Sequence, residues 1–183
     1  MNDIYRAPHQ TEPRLPVFPE EDLQSFIEKY RAEFESIIDF MDLSSLRGGY
    51  SVAVVQGESQ GALFGASLQT EVQKKLDVGT TFFYPKDSRE TTDFRAGMSQ
   101  WGEGVHVVDL SNMPYSSQDE QKPVDSFLSY INIMRSTFVA SAGYKMLVMT
   151  SDMYEAFAQC ADLWSCRGYV ARFDSVDSNP DAS

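Results

Sequence analysis

The sequence predicts a three-layer α/β sandwich with a central, mainly parallel five-stranded sheet. Short runs rich in β-branched and aromatic residues alternate along the chain with longer segments whose apolar residues recur at helical spacing. Such alternation is typical of βαβ units, in which helices cover both faces of a parallel sheet. The predicted strands span residues 51–56, 80–84, 105–110, 145–151 and 169–173.

The length and composition suit one globular domain. The chain has 183 residues, of which 42% are hydrophobic and 23% are charged. We predict a single α/β domain over 19–174, preceded by a flexible arm over 1–18 and followed by a disordered acidic tail over 175–183. The domain begins with an amphipathic helix over 19–46, since proline and three acids open the segment and its apolar residues lie on one face.

The charge balance limits the classes of partner. With 15 Lys and Arg residues against 27 Asp and Glu residues, the net charge is −12. This balance argues against nucleic acid and against an anionic membrane surface as partners. No apolar run approaches the roughly 20 residues that cross a bilayer, and no signal peptide is expected. The two cysteines, Cys160 and Cys166, fit a reducing compartment, so we expect a cytoplasmic protein.

Ligands of parallel α/β sheets bind beyond the carboxyl ends of the strands. Glycines follow the first strand, as in phosphate-binding turns, but they match neither the G-x-G-x-x-G pattern nor the P-loop, so a tight turn is the alternative. Asp109 ends the third strand, where an aspartate is either a Mg²⁺ ligand or phosphoacceptor, or caps the next turn. The candidates for a ligand or phosphate pocket are Gly57, Glu58, Ser59, Asp109, Asn112, Thr150 and Arg172.

We predict no catalytic residue, no metal site and no cofactor. Ser59 stands at the spacing of a nucleophile elbow, but the only later histidine, His106, lies inside a predicted strand rather than after a late acid. Two histidines and two cysteines do not stand at a usual zinc-ligand spacing.

Two segments resemble the receiver domains of two-component response regulators. Residues 107–114 (VVDLSNMP) resemble the phosphoacceptor turn, with one extra residue after Asp109. Farther on, Thr150 stands at the family's switch position, and residues 168–173 resemble its ending, with Arg172 in place of lysine. The resemblance covers residues 51–174, and it implies a flavodoxin-like sheet and a pairing of Arg172 with Asp109.

The family's acidic pair after the first strand is missing here. Gln56 and Gly57 occupy that position, and Glu58 is the nearest acid. Because acyl-phosphate chemistry needs a cation beside the phosphoacceptor, the resemblance implies a degenerate or pseudo-receiver. A weaker resemblance, over 142–173, is to RecA-like domains that have lost the P-loop lysine, such as the cell-division inhibitors of the SOS response, which act by binding a protein.

We therefore expect a non-catalytic adaptor or regulatory subunit that binds another protein or a second copy of itself. The alternatives are a degenerate RecA-like inhibitor or assembly subunit, and a nucleotide-binding or phosphate-binding enzyme. The apolar face of the leading helix is either core or a partner surface. The partner-binding candidates on this face are Phe26, Tyr30, Phe34 and Ile37.

Overall fold

The computed structural model describes residues 16–44, 46, 48–85, 91–113 and 123–174. The predicted tail and all but the last three residues of the predicted arm lie outside these ranges. The described chain forms a five-stranded sheet, and each of its strand pairs is parallel. Helices cover both faces, so the predicted three-layer α/β sandwich is confirmed. Within the described ranges, no helix is long and apolar enough to span a bilayer.

The predicted strands are all present, and each end lies within one residue of its predicted position. The three strands in the middle of the sheet are almost wholly buried, as is usual for parallel strands covered on both faces, and the two edge strands are partly exposed. The strands are β1 (Tyr50–Val55), β2 (Thr80–Phe83), β3 (Val105–Asp109), β4 (Tyr144–Thr150) and β5 (Val170–Arg172).

The predicted leading helix over 19–46 is divided into two helices. The leading helix is interrupted at Tyr30, whose φ of −115° and ψ of 34° are not helical. The Tyr30 hydroxyl donates a buried hydrogen bond to the Phe173 carbonyl oxygen (3.1 Å). The helices are α1 (Glu20–Lys29), α2 (Arg31–Leu43), α3 (Glu58–Leu76), α4 (Thr91–Met98), α5 (Pro123–Ile133), α6 (Arg135–Ala140), α7 (Ser151–Phe157) and α8 (Ala161–Ser165).

The order of the strands corrects one implication of the receiver resemblance. A flavodoxin-like sheet has the order 2-1-3-4-5. The observed order is β2-β3-β4-β1-β5, so β4 separates β1 from β3, and β5 pairs with the other edge of β1. Both orders arise from the same alternation of strands and helices along the chain, because that alternation does not record which strands pair.

One face of the sheet is covered by α1, α2 and α3 and carries a cluster of aromatic rings. Phe173, the first residue after β5, lies at the centre of this cluster. Its ring centroid is 5.7 Å from that of Phe26, 5.6 Å from that of Phe34 and 4.8 Å from that of Phe64. These contacts join all three helices to the end of β5. The opposite face carries a second core, to which the later helices contribute.

The four predicted partner-binding residues of the leading segment belong to this core. None of Phe26, Tyr30, Phe34 and Ile37 is more than 7% exposed. The break at Tyr30 allows α1 and α2 each to turn an apolar face toward the sheet. The prediction of a partner surface at these four residues is therefore wrong, and the alternative that they form the core is correct.

Replacing Phe34 with alanine should destabilise the domain strongly. Phe34 is 1% exposed and packs on three other aromatic rings, so we expect a loss of about 3–5 kcal/mol in the free energy of unfolding. Chemical denaturation followed by circular dichroism measures this loss. The matched control is Phe40→Ala on the same helix, since Phe40 is 41% exposed and should cost less than half as much. Equal losses would contradict the assignment of Phe34 to the core.

Candidate functional site at the carboxyl ends of the strands

The strand order brings the predicted pocket residues to one edge of the sheet. Gly57, Glu58 and Ser59 follow β1, Asp109 ends β3 and Thr150 ends β4. Because the strands are parallel and β4 lies between β1 and β3, their carboxyl ends meet at this edge. The side chains do not converge on one pocket, as the surroundings of each show.

The turn between β1 and α3 consists of two residues and is filled by a side chain. Only Gln56 and Gly57 separate Val55 from the first residue of α3. The Gln60 side-chain oxygen Oε1 accepts a hydrogen bond from the Gln56 backbone N–H (2.7 Å). A phosphate-binding loop presents several free amides to its anion. Here the amide of Gln56 already has its acceptor.

Asp109 is buried and bonded to its own loop. Its carboxylate oxygen Oδ1 accepts hydrogen bonds from the backbone N–H (2.9 Å) and the hydroxyl (2.6 Å) of Ser111. Burial raises the pKa of Asp109 above its ordinary value, and the negative charge of Glu58 acts in the same direction. The sequence allowed Asp109 to be either a Mg²⁺ ligand or phosphoacceptor, or the cap of the next turn. The observed contacts are those of an aspartate that caps the next turn.

Gly61 allows α3 to pack directly on this loop. A Cβ atom at position 61 would lie 2.4 Å from the Ser111 hydroxyl oxygen and 3.2 Å from Asp109 Oδ2. Side chains do not approach so closely, so glycine is required here by the close contact rather than by its backbone angles. The sequence shows that glycines follow β1, but the contact of Gly61 with Asp109 could not be read from that pattern.

Two more polar groups are buried in this part of the molecule. Burial raises the pKa of the Tyr84 hydroxyl, and the nearby charge of Asp109 raises it further. The Tyr84 hydroxyl and the Asn112 Oδ1 atom are buried and form no hydrogen bond with the described residues. Across the described ranges, no three His, Cys, Asp or Glu side chains are grouped so that they could hold a metal ion.

Arg172 does not pair with Asp109, which corrects the pairing that the receiver resemblance implied. Its Nη1 atom lies 3.3 Å from Asp174 Oδ2, and its guanidinium lies over the Tyr154 ring, 5.0 Å from the centroid. Two strands, β4 and β1, lie between β3 and β5. At about 4.8 Å per strand this separation is about 14 Å, which is more than an arginine side chain spans.

Asp174 also accepts a hydrogen bond from the hydroxyl of Ser151, the first residue of α7. Arg172 was a predicted pocket candidate, but its grouping with Ser151 and Asp174 was not predicted. Thr150 is the residue before α7 and is half-buried.

His106 lies near the opposite, amino-terminal end of the sheet. Its Nδ1 atom is 2.7 Å from the Thr81 hydroxyl, and its Nε2 donates to the Gly102 carbonyl oxygen (3.0 Å). The ring stacks on Trp101 with 4.6 Å between centroids, and burial lowers the pKa of His106. The histidine is thus fixed by structural contacts and is not near Ser59.

Lys145 is a buried cation that the sequence analysis did not single out. It pairs in register with His106 across β3 and β4 and is fully buried. Its ammonium donates hydrogen bonds to the carbonyl oxygens of Val139 (3.4 Å) and Ser141. Burial lowers the pKa of Lys145 to about 8. A lysine at the start of an otherwise apolar strand was the available signal.

Comparisons with known proteins assign no family. No family model and no curated protein matches the chain. Among solved structures, the chain is similar to one described as "Structure of Drosophila ORC bound to GC-rich DNA and Cdc6", with 13% sequence identity and a TM-score of 0.43. The match covers 94% of this chain and 36% of that chain, so this chain spans about a third of its length.

Replacing Gly61 with alanine should destabilise the domain, because the new methyl group would push α3 away from Ser111 and Asp109. We expect a loss of about 1–3 kcal/mol in the free energy of unfolding, measured by chemical denaturation. The control is Gly97→Ala within α4, where no atom lies within 4 Å of the added carbon, so this change should be neutral or stabilising by up to about 1 kcal/mol. A harmless Gly61→Ala variant would contradict the close packing described here.

Proposed function

We propose that this chain is a non-catalytic, protein-binding subunit built on a RecA-like sheet. An order in which β4 lies between β1 and β3, with β5 beside β1, resembles that of RecA-like domains. The sequence suggested this scaffold as the alternative to a receiver. The receiver resemblance remains a prediction, and the strand order counts against it.

The observation that carries the proposal is the closed turn after β1. In a P-loop protein the nucleotide phosphates lie against the amides of the corresponding loop, and a lysine at the start of the helix contacts them. Here the turn has only two residues, and the Gln56 amide already donates a hydrogen bond to the Gln60 side chain. The helix that follows begins with Glu58. A carboxylate at this position repels phosphate instead of attracting it.

The arrangement around Asp109 supports the same proposal. An aspartate that helps to hold Mg²⁺ and phosphate needs oxygens that face the ligand. One Asp109 oxygen is engaged by Ser111, and the other lies beside Gly61 of α3. Opening a ligand site at this edge would require α3 to move, and the aromatic cluster around Phe173 holds α3 in place.

A thermal-shift screen tests this proposal. The purified chain is heated with Mg²⁺ and ATP, ADP or GTP, and separately with Mg²⁺ and beryllofluoride. A ligand at 100 times its dissociation constant stabilises by about 2.7 kcal/mol, which raises the melting temperature of a chain of this size by roughly 5–10 °C. We expect changes below about 1 °C with every ligand. A reproducible shift of several degrees with a nucleotide would contradict the proposal and favour the nucleotide-binding alternative.

A further inference from the structure

A groove runs along α1 where this helix lies beside the first turns of α3. Its volume is about 520 Å³. One wall consists of residues of α1 and the segment before it, spaced three or four apart, so that they share one helix face. The other wall consists of Ser59, Gln60 and Leu63 of α3. The groove thus lies beside the closed turn after β1 and is open to solvent.

The floor of the groove is apolar. Phe18 and Leu63 are half-buried, and Phe26 is buried beneath them, with its ring in the aromatic cluster around Phe173. The ten residues of α1 extend for about 15 Å, at about 1.5 Å per residue. An amphipathic helix lying along α1 would place apolar side chains against the floor at positions three or four apart.

The rim of the groove is acidic where α1 begins. Glu20, Glu21 and Asp22 form the first turn of this helix, and Asp22 lines the groove. Glu58, at the start of α3, is exposed and is the residue next to the lining residue Ser59. Lys29 lines the groove near the other end of α1, so the acidic charge is concentrated at one end.

We propose that this groove binds a basic amphipathic helix of a partner protein, with its apolar face on the half-buried Phe18 and Leu63, above the buried Phe26, and its lysine or arginine side chains beside Asp22 and Glu58. This inference rests on the proposed protein-binding function and names the chemistry of the partner. Charge complementarity selects basic over acidic segments, and it accelerates their association with a chain of net charge −12.

Fluorescence anisotropy with a designed probe tests the inference. The probe is a fluorescein-labelled, amidated peptide in which Leu-Lys-Lys-Leu-Leu-Lys-Leu is repeated twice, and its binding to the full chain is measured near physiological salt. The comparison peptide carries glutamate in place of each lysine. We expect saturable binding of the lysine peptide and at least tenfold weaker binding of the glutamate peptide. Equal binding of the two peptides would overturn the inference.

Variants of the full chain locate the binding site. Asp22→Lys reverses the charge on the rim, and Ser25→Trp fills the groove from an exposed position. The matched control is Asp39→Lys, which makes the same charge change at an exposed position of α2 outside the groove. We expect each groove variant to weaken binding of the lysine peptide at least tenfold and the control to weaken it less than threefold.

Three results would overturn the inference. The first is that both groove variants bind the lysine peptide with wild-type affinity. The second is that Asp39→Lys weakens binding of the lysine peptide as much as the groove variants do, which would indicate that the peptide responds to the overall charge of the chain. The third is displacement of the probe by a synthetic peptide of residues 1–15 at comparable affinity, which would make the chain's own amino-terminal segment the occupant.

The two proposals fail separately. If a nucleotide raises the melting temperature while the lysine peptide still binds in the groove, only the proposed non-catalytic function is contradicted. If the lysine peptide does not bind specifically in the groove and no nucleotide raises the melting temperature, only this inference is contradicted.

Discussion

The packing of helices around Phe173 is the contact on which the rest of this structure depends. The residue follows the edge strand β5, its backbone N–H donates to the Val54 carbonyl oxygen (2.8 Å), and its own carbonyl accepts from the Tyr30 hydroxyl. Its ring contacts side chains from α1, α2 and α3. A single buried aromatic side chain thus fixes three helices relative to the end of the sheet. Aromatic rings stabilise cores strongly because each buries a large apolar area.

Two features of the candidate site follow from the position that this cluster gives to α3. The helix begins so close to the end of β1 that its own Gln60 satisfies the turn, and it passes so close to β3 that a side chain at Gly61 would collide with Ser111. In the described part of the edge where parallel α/β proteins commonly bind ligands, the Gln56 amide and one Asp109 oxygen therefore already have partners within the protein. The groove between α1 and α3 lies beside this edge and is open to solvent, and the proposed binding of a partner helix rests on it.

The elements of the fold could be predicted from the sequence, because β-branched runs and helical spacing are local signals. Which strands pair could not, since pairing depends on contacts between distant segments; for this reason the separation of Arg172 from Asp109 was missed. The break at Tyr30 was hidden by continuous helical spacing, and the Tyr30 hydroxyl bonds to Phe173, 143 residues away. The pocket residues were placed at the correct edge, but whether that edge is open depends on how closely α3 packs there, and the sequence does not contain this distance.

Hydrogen exchange measured by NMR at the Gln56 amide tests the central claim most directly, because this amide is the group that a phosphate would need. We predict slow exchange in the wild-type chain and exchange at least about tenfold faster in Gln60→Ala. The Gly61 amide, which donates to the Gly57 carbonyl oxygen at the start of α3, should be unchanged and serves as the internal control. Exchange of the Gln56 amide at the unprotected rate in the wild-type chain would contradict the account, since the turn after β1 would then be open to an anion.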